Sequence, residues 1–249
     1  MINIYTNEEI NKVKEAGKIN KLAHEYLASL IKPGISTKYL DDEAGKFIES
    51  HGGIPASKGY EGYPCNICIS INDEIVHGIA KEDVFLKEGD IITFDIMTKL
   101  DGYIADSATT WPVGKVNKEK EHLMYHTKKA LYTGLKEVKA GVPLGNISAR
   151  IQQYAEKHGV SVPHEIGGHG VGKDVHEDPF IPNYGKYGEG VILKSGMILA
   201  IEPMLVVGDR HVDVLDDDWT VVTRDGSNSA HFEHTIAVRD DGYEILTGE

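Results

Sequence analysis

Four acidic residues stand in stretches that otherwise read as apolar strands. They are Asp95 in Thr93-Phe94-Asp95-Ile96, Asp106 in Ala105-Asp106-Ser107, Glu202 in Ala200-Ile201-Glu202-Pro203 and Glu233 in His231-Phe232-Glu233-His234. A single such acid is ordinarily a surface or salt-bridged residue. Four of them need a compensating charge, because a buried, unpaired carboxylate is costly. Four carboxylates carry −4 and two divalent cations carry +4, so a dinuclear centre would neutralise the pocket. Two such ions would activate water near neutral pH and clamp a substrate carbonyl.

Nitrogen donors follow the same logic. His169 lies in Gly167-Gly168-His169-Gly170-Val171-Gly172, where backbone can approach a ligand closely. His176 comes seven residues later, and His77 stands in Val76-His77-Gly78. A regular strand would turn His169 and His176 to opposite faces, so a bend must intervene if both serve one site. His122 and His126 have helical spacing, but no Glu follows His122, and the pair reads as helix surface.

The elements that position these residues are duplicated. Residues 84–95 align without a gap on residues 191–202, an offset of 107, and Asp95 falls on Glu202. Each copy reads as a turn at Lys-x-Gly followed by a strand ending on an acid. Gly34 and Gly141, and Gly52 and Gly159, keep the same offset. Helices are expected from Thr6 to about Leu30, Thr37 to Ser50, Lys118 to Val138, and after Pro143 to His158. Strands are expected near 66–72, 91–98, 103–110, 160–164, 197–206, 220–223 and 229–238. The preferred hairpin loop, Lys99 to Gly102, sets Asp95 directly opposite Asp106. A two-residue loop at Asp101-Gly102 sets Asp95 opposite Ala108 instead. The expected architecture is α+β, with helices covering an antiparallel sheet. The chain is expected to form one catalytic domain of two related halves, about 1–112 and 113–249.

Composition narrows the class. A net charge of −13 argues against DNA binding, which needs a basic face, while leaving room for a transient, local ribosome contact. The lysines between Lys115 and Lys139 alternate with acids, as on a solvated helix. There is no apolar run of membrane-spanning length, and the charged N-terminus is unlike a signal segment. The two cysteines, Cys65 and Cys68, suit a reducing cytoplasm and read as packed thiols rather than a redox pair.

The ordered set Asn72-Asp73-Glu74-Ile75-Val76-His77-Gly78, Phe94-Asp95, Ala105-Asp106-Ser107, Gly168-His169-Gly170-Val171-Gly172, Val175-His176-Glu177, Ile201-Glu202-Pro203-Met204 and Phe232-Glu233-His234-Thr235 resembles the methionine aminopeptidases across essentially the whole chain. The resemblance implies the pseudo-twofold pita-bread fold and a compact, bacterial-style type I enzyme, monomeric and cytoplasmic. It implies removal of the initiator methionine from nascent chains whose second residue is small, by attack of a metal-bridging hydroxide on the methionyl carbonyl. Asp95, Asp106, His169, Glu202 and Glu233 would hold two divalent ions (cobalt, manganese, iron or zinc), with Asp106 and Glu233 bridging. Glu202 would shuttle the proton, and His77 and His176 would contact the scissile amide and the tetrahedral intermediate. Tyr60, Tyr63, Cys68 and Trp219 would form the methionine pocket. Val175 stands where bacterial relatives often have Phe, and Ser57 where some have Cys, so the contour of that pocket departs from the pattern. Two rival readings are a proline-specific peptidase on the same fold and a non-catalytic binding relative.

Overall fold

The computed structural model describes residues 2–248. The first half contains α1 (Asn7–Leu30), α2 (Thr37–Ser50), β1 (Ile54–Pro55), β2 (Cys68–Ile71), β3 (Glu74–Val76), β4 (Ile91–Leu100) and β5 (Tyr103–Pro112). Next come α3 (Lys118–Leu135), α4 (Gly145–Lys157), β6 (Gly167–Gly170), β7 (Glu177–Pro182), β8 (Ile198–Ile201) and β9 (Met204–Val206). The chain closes through β10 (Val212–Val214), β11 (Val221–Thr223), β12 (Ser229–His231), β13 (His234–Arg239) and β14 (Gly242–Ile245).

The 107-residue offset recurs in the hydrogen bonds. Gly34 N–H donates to Leu86 O at 2.8 Å, and Gly141 N–H to Leu193 O at 2.9 Å. The return bonds, Leu86 N–H to Ile35 O and Leu193 N–H to Val142 O, match as well. Both Lys-x-Gly turns rest on a glycine in the left-handed region, with φ of 89° at Gly89 and 92° at Gly196, where a Cβ would be strained.

Helix α1 starts on a capping box: Thr6 Oγ1 accepts from Glu9 N–H, and Glu9 Oε2 accepts from Thr6 N–H. It buries Ile10, Val13 and Ala16 on one face and lies across β4 and β5. A polar residue on that face, Asn20, is used rather than hidden. Asn20 Nδ2 donates to the carbonyls of Ile96 and Ala105, and Ser107 Oγ donates to Asn20 Oδ1 at 2.5 Å. The hairpin carrying Asp95 and Asp106 is therefore fixed from behind. In the second half, α3 and α4 cover a core that includes Leu131, Ile147, Ile151, Leu199 and Ile236.

Three sequence expectations change. The β4–β5 hairpin closes with the two-residue loop: Leu100 pairs with Tyr103, and Asp101 and Gly102 take φ of 49° and 86°. That is the type I′ pattern Asp-Gly favours, because its twist matches the flanking strands. Asp95 thus faces Ala108, and Asp106 faces Met97. The two acids are diagonal neighbours on one face rather than a direct pair. Second, residues 160–164 make only one bridge, Ser161 to Val206, since Pro163 has no N–H to extend a ladder. The glycine-rich β6 and the proline-containing β7 are strands instead. Third, the stretches 197–206 and 229–238 each break once, at Glu202-Pro203 and at Phe232-Glu233.

That shared break matters. Ile201 pairs with His234 and Met204 with His231, so the same register sets Glu202 opposite Glu233 across the gap. Glu233 N–H donates instead to Ala108 O in β5 at 2.9 Å. Two threonines lock the halves together beside it. Thr110 Oγ1 donates to His231 O and accepts from His231 N–H, while Thr235 Oγ1 donates to Asp106 O and accepts from Asp106 N–H.

Candidate active site

Each half delivers acids to the same point: Asp95 and Asp106 from β4 and β5, Glu202 and Glu233 from the paired breaks. His169 arrives on β6, next to β8, where it pairs with Ala200. Gly168 makes that approach possible, because a Cβ there would meet Ala200 O at 2.2 Å. All five residues are buried.

His77, Asp95, Asp106, His169, His176, Glu202 and Glu233 line one cavity of about 480 Å³, with apolar walls from Val76, Met97, Ile166, Phe180 and Met204. His169 Nε2 lies 3.3 Å from Glu202 Oε1 and 3.7 Å from Asp106 Oδ2. One ligand atom each from Asp106, His169 and Glu233 falls within 4.8 Å of the others. His169 Nδ1–H donates to Gly170 O at 2.9 Å, so the neutral ring turns its Nε2 lone pair towards the acids. Asp95 Oδ1, Asp106 Oδ1 and Glu233 Oε1 are buried with no hydrogen-bond partner among the described residues. Acceptors converging on acceptors repel one another, and a cation among them would relieve the arrangement. The donor set, carboxylate oxygen with one imidazole, fits divalent metal ions.

Without such a charge the electrostatics are unfavourable. Burial, then the neighbouring Asp95 and Glu202, drives the Asp106 carboxyl well up. Burial with Asp95 does the same to Glu202, and burial with Asp106 to Glu233. Burial raises Asp95 too. The His169 imidazole is pushed down to about 3, first by burial and then by His176.

The bend required between His169 and His176 is present, and their rings meet edge to face at 4.3 Å. Tyr60 OH hydrogen-bonds His176 Nδ1 at 2.9 Å. His77 has φ of 59°, a conformation uncommon outside glycine and found disproportionately where function demands it. Tyr60, Tyr63, Cys68 and Trp219 do not line the cavity itself; they stand behind it. Trp219 meets both Tyr63 and His77 edge-on, at 5.1 and 6.2 Å, and Cys68 pairs with Asp95 in the ladder. Cys65 and Cys68 are buried free thiols. His122 and His126 lie on α3 far along the chain from these groups, with His126 stacked on His158 at 4.2 Å. Sequence reasoning passed over His231, which is fully buried with Nε2 3.4 Å from Glu202 Oε2. Its strand position two before Glu233 was the available signal.

Residues 11–240 match the profile of metallopeptidase family M24. The chain belongs to metallopeptidase family M24. Within M24 it is 53% identical to methionine aminopeptidase 1 of Bacillus subtilis strain 168, over 99% of each chain. The crystal structure of methionine aminopeptidase from Rickettsia prowazekii superposes with a TM-score of 0.98 at 42% identity, covering 100% of both chains. The prolidase from Pyrococcus furiosus shares the M24 fold (TM-score 0.81, 20% identity) over 99% of this chain and 65% of that one. The pita-bread architecture that the resemblance implied is thus the one observed. Among the described residues no helix is long and apolar enough to cross a membrane.

Proposed function

We propose that this chain is a metal-dependent aminopeptidase that releases N-terminal methionine from peptides with a small second residue, using two divalent ions in the carboxylate cavity. The observation that carries the reading is the gathering of four buried carboxylates in one cavity, with Asp106 and Glu202 turned to the Nε2 lone pair of His169. End-to-end likeness to methionine aminopeptidases, against fold-only likeness to a prolidase, favours methionine over the proline-specific alternative.

Asp95, Asp106, His169, Glu202 and Glu233 would hold the ions, with Asp106 and Glu233 between them. Bound there, the ions would supply Lewis-acid polarisation of the methionyl carbonyl and acidify water. Glu202 accepts the proton of the attacking water and delivers it to the leaving amide nitrogen as the C–N bond breaks. His176, held at Nδ1 by Tyr60, offers Nε2–H to the developing oxyanion. His77 hydrogen-bonds the scissile peptide. Tyr60, Tyr63, Cys68 and Trp219, which stand behind His176, His77 and Asp95 at the cavity edge, would supply the apolar surroundings of the methionine thioether. The cytoplasm is the compartment that suits two free thiols and a nascent-chain substrate.

Paired assays on Met-Ala-Ser and Ala-Pro peptides with manganese-loaded protein test this. Cleavage of the methionyl peptide alone is the expected result. Preference for Ala-Pro, or turnover of neither by fully loaded protein, would overturn it.

A further inference from the structure

His231 is the one fully buried ionisable side chain beside the cavity that the mechanism above leaves without a task. Its backbone is clamped at both polar atoms by Thr110 Oγ1, and β12 pairs it with Met204. The ring position is therefore set by the strand. Nε2 lies 3.4 Å from Glu202 Oε2 and 4.0 Å from Glu233 Oε2. Neither ring nitrogen has a hydrogen-bond partner among the described residues, so Nε2 is an orphaned polar atom at the edge of Glu202. Once ions ionise Glu202, its oxygens accept only, and the nitrogen facing them would carry the proton.

The two oxygens of Glu202 are consequently divided. Oε1 faces the Nε2 lone pair of His169 on the cavity side, and Oε2 faces Nε2 of His231 on the protein side. Two imidazole nitrogens thus stand at the two oxygens of one carboxylate. Glu233 lies opposite Glu202 in the interrupted ladder, its Oε2 4.0 Å from the same His231 nitrogen. His231 lines no part of the cavity, so it is not itself placed to bind an ion.

We propose that His231 is a positioning residue: with the ions bound, it holds the outer oxygen of Glu202 so that the inner oxygen stays aimed at the ions. This rests on the metal-ligand reading given above. Ligating carboxylates are themselves hydrogen-bonded in metal sites, and loss of such a partner weakens metal affinity by roughly 10–100-fold.

Calorimetric titration of the chelated protein with Mn²⁺ tests the role in wild type, His231→Leu, His231→Gln and Asp106→Ala. Leucine fills the site without a donor, whereas glutamine reaches about as far as Nε2 and restores one. The Leu variant is expected to bind Mn²⁺ roughly 10–100-fold more weakly, and the Gln variant within about threefold of wild type. Thermal unfolding of the chelated variants controls for packing. Equal affinity in wild type and the Leu variant would overturn the proposal. So would a Gln variant as weak as Leu while its chelated form melts like wild type. If the Leu variant does not fold, His231→Asn replaces it, because its donor stops short of Glu202 and should show the loss that glutamine avoids. Unchanged Mn²⁺ binding by Asp106→Ala would instead sink the metal-ligand reading itself.

Discussion

The chemistry of this site is decided by where protons are absent. His169 spends its N–H on the Gly170 carbonyl and meets the acids with a lone pair, while three carboxylate oxygens of the same cavity have no donor among the described residues. Removing Asp106 or Glu233 takes away an oxygen proposed to touch both ions. Asp106→Ala and Glu233→Ala are each expected to lose bound metal and at least about 10³-fold in turnover, measured together by elemental analysis and a methionyl-peptide assay. Full metal content with near-normal turnover in either variant would remove that role. The acids were legible in the sequence because charge inside an apolar, β-branched run stands out. His231 was not, because a histidine near an acid reads equally well as a satisfied core residue, and only the ladder register shows which carboxylates it faces.

The elements act as rigid carriers with little slack. Strand β6 can lie against β8 only because position 168 has no side chain, the Ala200 carbonyl being 2.2 Å from where a Cβ would sit. Gly168→Ala is expected to cost roughly 1–3 kcal/mol of stability. Turnover should fall beyond what the loss of folded protein explains, because His169 is the next residue. Unchanged melting and kinetics would show that β6 yields freely. Helix α1 braces the β4–β5 hairpin through Asn20 and His24, whose Nε2–H donates to Ser107 O at 3.0 Å. Burial pushes the His24 imidazole down to about 4 from an ordinary 6.5, against the pull of that carbonyl. Protonation therefore costs the folded state more than the unfolded one. The contribution is complete above about pH 6.5 and is lost as pH falls towards 4. The stability difference between wild type and His24→Gln should decline by up to about 1.4 kcal/mol per pH unit across that window in chelated protein. A difference that stays level from pH 6.5 to 4 in urea unfolding would contradict it. Helices and the repeat were readable from caps, glycines and periodicity. The hairpin register and the strands at β6 and β7 were not, because turn type and glycine-rich pairing depend on partners that one stretch of sequence does not display.

At the scale of the whole molecule, segments related by the 107-residue offset bring their acids to one cavity. The matched bonds Gly34–Leu86 and Gly141–Leu193 show the copies keeping the same local frame, while Thr110, Thr235 and the Glu233–Ala108 bond join them at the cavity. A net charge of −13, with four carboxylates gathered in one pocket, draws cations and a substrate ammonium group towards the site. The duplication could be read directly from the sequence. The meeting point of the halves could not, since it depends on the breaks at Glu202-Pro203 and Phe232-Glu233 falling opposite each other. Anomalous diffraction from crystals grown with Mn²⁺ tests the central claim most directly. Two peaks inside the cavity are predicted, both touched by Asp106 and Glu233, with His169 Nε2 on one and Asp95 on the other. Carboxylates hydrogen-bonded to one another around water, with no manganese between them, would contradict the account.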